Sequence, residues 1–272
     1  MPYVALITGA SSGIGEATAR RLAREPDVEL ILVARRAERL EALAAELGGP
    51  ERVGTLTVDL VQDNAAERVR TYLEARGRGL HLLVNNAGAA WRGSFAQSGW
   101  ANLERHMKLN FEAPARLTEA LLPLLRAAAA RGPAPGRRVA IVNVASTAAR
   151  VSRPGSGAYS ASKFALAGWT DALHLEELPH GVHVGLVLPG FIQTEGFPAA
   201  ELLAKRLTRR IVAPPETVAE AILEAGPGGR AERYVPRYYW LAAALRVLAP
   251  AVTRRATAGG AFTTATRMGT RQ

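Results

Sequence analysis

The segment Thr8-Gly9-Ala10-Ser11-Ser12-Gly13-Ile14-Gly15 constrains the fold more than any other stretch of the chain. It joins an apolar run, 3–8, to a helix-period stretch, 14–25. Glycines at such a junction let the backbone turn sharply and approach a pyrophosphate, whose charge then lies at a helix N-terminus. A lone glycine triplet says little, but one set between a first strand and a first helix points to a dinucleotide-binding unit. Gly9-Ala10-Ser11-Ser12-Gly13 also spells G-x-S-x-G, the nucleophile elbow of α/β-hydrolases, which would make Ser11 a nucleophile. The context disfavours it, because the hydrolase oxyanion hole draws on a loop after an earlier strand and none precedes this one. Nor does any of His81, His106, His174, His180 and His183 hold an obvious late triad position.

The same theme repeats along the chain. Short Val/Ile/Leu-rich runs at 3–8, 30–34, 53–58, 80–85, 139–144 and 182–188 are near-continuously apolar, as strands buried on both faces are. Between them lie helix-period stretches at 14–25, 36–47, 64–76, 100–130 and 158–178. The alternation predicts an α/β fold with a doubly wound parallel sheet, a Rossmann-type three-layer sandwich. Further helices are expected at 199–210, 215–225 and 238–249, with Pro250 ending the last, and a short strand at 232–236. The Thr/Ala/Arg-rich end is expected to fray after Thr253. The expected organisation is a dinucleotide-binding catalytic domain, 1–236, with a substrate loop at about 190–213. A basic C-terminal helix and tail, 237–272, extends it.

Composition narrows the functional classes. Of 272 residues 48% are hydrophobic, so most of the chain can bury a core. The absence of cysteine removes disulfides, thiolate-bound metals and thiol nucleophiles. His180 and His183, although spaced like metal ligands, read as the entry to a strand, and no metal is expected. The run 3–8 is too short for a secretory signal core, and no apolar run reaches the ~18 residues that span a bilayer. A cytoplasmic protein is expected. The formal charge is +10, and from Arg233 to Gln272 seven arginines occur with no Asp or Glu. No nucleic-acid-binding motif accompanies this charge, so no nucleic-acid partner is expected.

The end of the second strand bears on cofactor choice. An NAD-binding fold usually places a carboxylate there to accept from the ribose 2′-hydroxyl. This chain has Ala34 followed by Arg35 and Arg36. A carboxylate would repel a 2′-phosphate and an arginine would attract it, which favours NADP(H) over NAD(H). The preference is assigned to Arg35, with Arg36 as a second candidate; the alternative is that both merely open an arginine-rich surface helix.

Tyr159-Ser160-Ala161-Ser162-Lys163 opens the helix after the fifth strand and sets Tyr159 and Lys163 on one helix face at i and i+4. A tyrosine pKa of about 10 is too high for proton transfer near neutrality, and an adjacent ammonium favours the phenolate. With these motifs in place the sequence resembles the short-chain dehydrogenase/reductase superfamily, in its core NAD(P)(H)-dependent branch, over roughly residues 3–194. The glycine segment matches T-G-x-x-x-G-x-G, which implies that Gly9, Ser11, Ser12, Gly13, Ile14 and Gly15 bind the pyrophosphate. Asp59-Leu60 matches the acidic site that contacts adenine, and Asn85-Asn86-Ala87-Gly88 matches the N-N-A-G that lines the cofactor site. Pro189-Gly190-Phe191-Ile192-Gln193-Thr194 is similar to P-G-x-x-x-T, where Ile192 and Thr194 hold the nicotinamide carboxamide. Asn110 matches the asparagine of the proton relay, and Ser146 matches the serine thirteen residues before the tyrosine.

The resemblance implies a reversible carbonyl reductase. Tyr159 protonates the substrate oxygen and Ser146 hydrogen-bonds it. Lys163 binds the nicotinamide ribose and lowers the tyrosine pKa, while Asn110 holds a water that links Lys163 to solvent. One departure concerns Ser12, where many NADP-preferring members carry a basic residue. A regulator or scaffold of the same fold is the alternative, but such proteins usually lose the tyrosine or lysine retained here.

The resemblance leaves the substrate open. A carbonyl or alcohol of apolar character is expected, against a wall of Trp91, Ala148, Ala149 and Val151 and the loop 191–203, with Arg92, Arg150 and Arg153 nearby. A homodimer or homotetramer through the helices 100–130 and 158–178 is implied. The stripe Tyr238, Leu241, Leu245 and Leu248, with arginines beside it, suits peripheral docking on an anionic membrane. The competing expectation is that it packs on the chain's own substrate loop or on a neighbouring subunit.

Overall fold

Each short apolar run becomes a strand because its alternate side chains find a separate core on either face. The computed structural model describes residues 2–77, 79–132, 136–195 and 211–258. The strands are β1 (Tyr3–Thr8), β2 (Val28–Ala34), β3 (Val53–Thr57), β4 (Leu82–Asn85), β5 (Val139–Val144) and β6 (Val182–Pro189), then β7 (Phe191–Ile192), β8 (Val212–Ala213) and β9 (Glu232–Val235). Seven form one sheet in the order β3-β2-β1-β4-β5-β6-β9, every pair parallel, while β7 and β8 make a small separate ribbon. In β2, Leu30 and Leu32 enter one apolar cluster and Ile31 and Val33 the other. This is the period-2 alternation of a strand covered on both sides.

Helices α1 (Gly13–Leu22), α2 (Ala37–Glu46), α3 (Ala65–Ala75), α4 (Phe95–Met107), α5 (Ala113–Ala130), α6 (Gly157–Glu177) and α7 (Pro215–Ala225) supply the outer layers. Leu117, Leu121 and Leu125 of α5 are buried in one core, and Val218 and Ile222 of α7 in the other. Truncating such a leucine or isoleucine to alanine costs about 2–5 kcal/mol. The sheet order reverses between β1 and β4, and ligands of open α/β sheets bind in the crevice that this reversal opens at the strands' carboxyl ends.

Three expectations are corrected. The stretch 100–130 is not one helix: α4 starts at Phe95 behind a Ser94/Gln97 capping box, passes Gly99 at φ +55°, and meets a π-helical turn at Lys108–Glu112 before α5. The wider turn adds a residue without breaking the helix path, so apolar periodicity does not reveal it. Pro250 does not end the last helix but opens another. After a 3-10 turn (Arg237–Tyr239), α8 (Trp240–Leu248) breaks at Ala249, and α9 (Pro250–Ala258) follows. Proline is tolerated in a first turn because its missing N–H would have no helical partner there. Thr253, where fraying was expected to begin, is buried within α9. The helix expected at 199–210 and the tail beyond 258 lie outside the described residues. Among the described residues no helix is long and apolar enough to cross a membrane.

Candidate active site

A cleft of about 650 Å³ opens at the carboxyl ends of β1, β2, β4, β5 and β6. The glycine loop forms its floor. Gly9 and Gly13 adopt φ +65° and +57°, the left-handed region that disfavours a side chain. A β-carbon on Gly15 would drive into the Gly9 carbonyl oxygen, so the third glycine is needed for helix and loop to touch. Thr8 Oγ1 accepts from the Asn86 and Ala87 backbone N–H groups, each at 3.0 Å, and Asn86 Nδ2 donates to Thr8 O at 2.9 Å. The N-N-A-G strand end and the glycine loop are thus stitched together. Ser12, at the N-cap of α1, makes no side-chain cap, which leaves the first-turn N–H groups facing the cleft mouth without a side-chain acceptor. This donor-rich, glycine-lined cradle fits a pyrophosphate.

Ser11, Ser12, Ile14, Leu60, Ala87, Gly88, Pro189, Gly190, Ile192 and Thr194 line the same cleft, as do Arg35 and Arg36. Gly15, Asp59 and Asn110 do not. Gly15 is buried under the loop, and Asp59 lies between lining residues Val58 and Leu60 with Oδ1 accepting from Val61 N–H at 3.4 Å. The two arginines at the end of β2 differ in their contacts. Arg36 donates to Ser12 Oγ at 2.7 Å, to Ser11 Oγ at 3.1 Å and to Ser11 O at 3.3 Å, whereas Arg35, exposed as Arg36 is, makes none of these bonds. Arg36 therefore brings a guanidinium to Ser12, where the resemblance led one to look for a basic side chain. Glu195 grips Arg36 at 3.1 Å and Arg39 at 2.7 Å, a contact across 156 or more residues that no local pattern signals.

At the other end of the cleft three predicted residues converge. Ser146 caps a 3-10 turn (Thr147–Ala149), accepts from Ala148 N–H at 3.1 Å and donates to Pro189 O at 3.3 Å. The Ser146 hydroxyl also favours the ionised form of Tyr159. Tyr159 and Lys163 project from the first turns of α6, and Lys163 Nζ donates to Val144 O at 2.9 Å. The π-helical turn aims Asn110 inward: it clamps Ala89 from both sides, accepting from its N–H and donating to its O at 3.0 Å each, and donates to Ser162 Oγ at 3.1 Å. A β-carbon on Gly88 would lie 3.0 Å from Asn110 Oδ1 and 3.4 Å from Lys163 Nζ, so Gly88 separates the two and leaves room between them.

Burial dominates the electrostatics of the pair. Burial pushes the Tyr159 hydroxyl up, and the Ser146 hydroxyl and the positive charge of Arg153 offset this. Lys163 is itself lowered to about 8 by burial. Desolvation thus acts on both members of the i,i+4 pair.

Two further groups were not singled out in the sequence. His106, fully buried one helical turn before Asn110, holds the backbone of Trp91: Nε2 accepts from Trp91 N–H at 3.0 Å while Nδ1 donates to Asn102 O at 2.7 Å. That pattern requires a neutral imidazole, and burial lowers its pKa accordingly. The Trp91 indole stacks under the Arg105 guanidinium at 4.4 Å. Tyr239 seals Gly190, whose β-carbon would strike its ring, and donates to Ile211 O at 3.2 Å.

Residues 3–201 match the model of the short chain dehydrogenase family. The chain is 37% identical over 196 residues to "Sulfoacetaldehyde reductase 2" of Chromohalobacter salexigens, covering 72% of this chain and 75% of that one. It is 35% identical over 225 residues to "Oxidoreductase UcpA" of Escherichia coli K12, covering 82% and 80%. Among solved structures it resembles a short-chain dehydrogenase from Streptomyces avermitilis with a TM-score of 0.75 and 29% identity, over 93% of this chain and 96% of that one. It also resembles the Pseudomonas aeruginosa RhlG/NADP active-site complex, with a TM-score of 0.72 and 26% identity over 84% and 90%.

Proposed function

The chain belongs to the short chain dehydrogenase family of oxidoreductases, and from that premise we propose that it interconverts a carbonyl compound and an alcohol with NADP(H). The observation that carries this reading is the convergence of Ser146, Tyr159 and Lys163 on one end of a cleft whose other end is a glycine-lined cradle. The chemistry that NADPH supplies when bound is a hydride for the carbonyl carbon, with NADP+ as the oxidised product. Tyr159 delivers its hydroxyl proton to the substrate oxygen as negative charge develops there. Ser146 donates a hydrogen bond to the same oxygen. Lys163 is placed to hold the cofactor's nicotinamide ribose, and Asn110, bound to Ala89, orients a water beside it that returns the proton to Tyr159. Pro189, Gly190, Ile192 and Thr194 border the nicotinamide end, and Gly9, Ser11, Ser12, Gly13 and Ile14 the pyrophosphate. Arg36, reaching Ser12, supports NADP(H) over NAD(H), with Arg35 on the same rim. The relative named as a sulfoacetaldehyde reductase supports the carbonyl-reducing direction. NADPH oxidation across a panel of aldehydes and ketones, with wild type against Tyr159→Phe, tests the reading.

Two assembly features belong to the same reading. A depression between α5 and α6, bordered by Phe111, Leu122 and Trp169, supports a homodimer or homotetramer across these helices, which sedimentation velocity would detect. In α8 no residue is buried, and Trp240, Leu241, Leu245, Val247 and Leu248 are exposed beside Arg246, with no Asp or Glu after Glu232. An apolar face with arginine and no acid suits peripheral contact with anionic lipid. Sedimentation with anionic vesicles that disappears at high salt and on truncation after Pro236 is expected. Loss of the oligomer on that truncation would instead assign the face to a subunit contact.

A further inference from the structure

Arg36 is the N-cap residue of α2 and Arg39 lies in its first turn, near enough for the two guanidiniums to share one partner. Arg36 is held from the cradle side: Nε donates to Ser11 Oγ at 3.1 Å and Nη2 to Ser12 Oγ at 2.7 Å. Its Nη1 donates instead to Glu195 Oε2 at 3.1 Å, and Arg39 Nη1 donates to the same oxygen at 2.7 Å. Arg39 Nη2 adds a bond to Glu195 Oε1 at 3.2 Å. Two guanidiniums thus converge on one carboxylate oxygen. The chain before Glu195 delivers it there. Ile192 pairs with Ala213, Gln193 N–H donates to Ala213 O at 3.0 Å, and Thr194 packs so closely on the glycine loop that a β-carbon on Gly13 would lie 3.1 Å from its Cγ2. Among the described residues that line the cleft, Glu195 is the single carboxylate.

The two cations repel each other, and the single charge of Glu195 offsets only one of them. A phosphate monoester carries about −1.5 to −2 near neutral pH and offers three acceptor oxygens, so it matches the pair better than a carboxylate does. All three side chains are about half exposed, so the Glu195 contact is weak enough to give way, and the released carboxylate finds water. A phosphate and Glu195 cannot keep the same donors, because two anions at one position repel. We propose that Glu195 competes with the 2′-phosphate of NADP(H) for Arg36 and Arg39, so that Glu195 weakens, and Arg39 strengthens, the preference for the phosphorylated cofactor. The ribose 2′-hydroxyl of NAD(H) needs neither cation and leaves the contact in place. The inference rests on the reading of Arg36 as the cation that meets the 2′-phosphate, and adds to it one opposing and one supporting residue.

Calorimetric titration of the full-length protein with NADPH, NADH, adenosine 2′,5′-bisphosphate and adenosine 5′-monophosphate tests this without any turnover. Glu195→Gln keeps the shape of the side chain and removes its charge. It is expected to tighten NADPH and the bisphosphate by about three- to thirtyfold, the worth of two exposed ion pairs, and to move NADH and the monophosphate by less than about twofold. In the Glu195→Gln background no carboxylate competes, so the effect of Arg39 is read directly. There Arg39→Gln is expected to weaken the bisphosphate by about three- to tenfold and the monophosphate hardly at all. All three side chains lie at the surface, so these variants keep the fold. An NADPH affinity that Glu195→Gln leaves unchanged, with wild type still preferring NADPH, would overturn the inference and leave the Arg36 reading intact. So would a loss of affinity for both cofactors, which would make Glu195 a clasp over bound nucleotide. Equal binding of the bisphosphate and the monophosphate, by wild type and Glu195→Gln alike, would overturn both.

Discussion

Arg36 donates to the Ser12 hydroxyl at 2.7 Å, joining the end of β2 to the turn that opens α1. This contact brings a cation to the rim of the glycine-lined cradle, and the proposed function has it meet the 2′-phosphate of NADP(H). Arg36→Ala is expected to weaken NADPH binding by about 1.5–3 kcal/mol, roughly 10- to 150-fold, and to affect NADH far less. Arg35→Ala should have the smaller effect of the two. Isothermal calorimetry with both cofactors measures this. Equal affinity of wild type for NADPH and NADH would show that the cation has no such role.

Lys163 combines full burial with a functional position, and the two conflict. Its shift from an ordinary 10.5 to about 8 corresponds to roughly 3 kcal/mol of destabilisation at neutral pH, where the ammonium is charged. The unfolded chain holds that proton up to about 10.5, so this contribution makes wild type more stable as pH rises from 8 toward 10. Lys163→Met is expected to abolish turnover yet stabilise the fold at pH 7 by about 1–2 kcal/mol after loss of the Val144 bond, seen as a higher Tm. The pH-dependent gain above 8 should vanish with it. Calorimetric scans of both proteins between pH 7 and 10 check the sign.

His81, His106 and His183 are all lowered by burial, so each is neutral in the native protein where the unfolded chain takes up a proton. Their contribution is present above about pH 6.5 and is lost as pH falls below it. A Tm that declines between pH 6.5 and 5 is expected. His106→Phe should reduce that decline and cost about 1–3 kcal/mol at pH 7, because the Trp91 N–H loses its acceptor. Denaturant titrations at pH 5 and 7 would measure both effects.

The sheet was legible because residues such as Leu30–Ala34 are apolar without interruption, a pattern that only two-faced burial requires. Motif spacing likewise brought Ser146, Tyr159 and Lys163 to one place. What stayed hidden depends on direction rather than spacing. Spacing alone does not tell which of two adjacent arginines turns toward Ser12. A π-helical turn at Lys108–Glu112 leaves the apolar rhythm intact, and Pro250 reads equally as a stop or a first turn. His106 did carry a signal, one turn before Asn110 on the same helix path. The pairing of Glu195 with Arg36 and Arg39 carried none, since it joins segments far apart in sequence.

Tyr159 is the proposed proton donor of an NADPH-dependent carbonyl reduction, and Tyr159→Phe removes one hydroxyl and little else. General acid catalysis is worth about 10²–10⁴-fold, and loss of the only donor should reduce turnover by at least that much. The decisive measurement is kcat of wild type and Tyr159→Phe on one substrate that wild type reduces, with NADPH affinity determined for both by calorimetry. A fall in kcat of a hundredfold or more with cofactor affinity nearly unchanged is the predicted result. A variant that binds NADPH normally and keeps most of its activity would show that Tyr159 is not the proton donor.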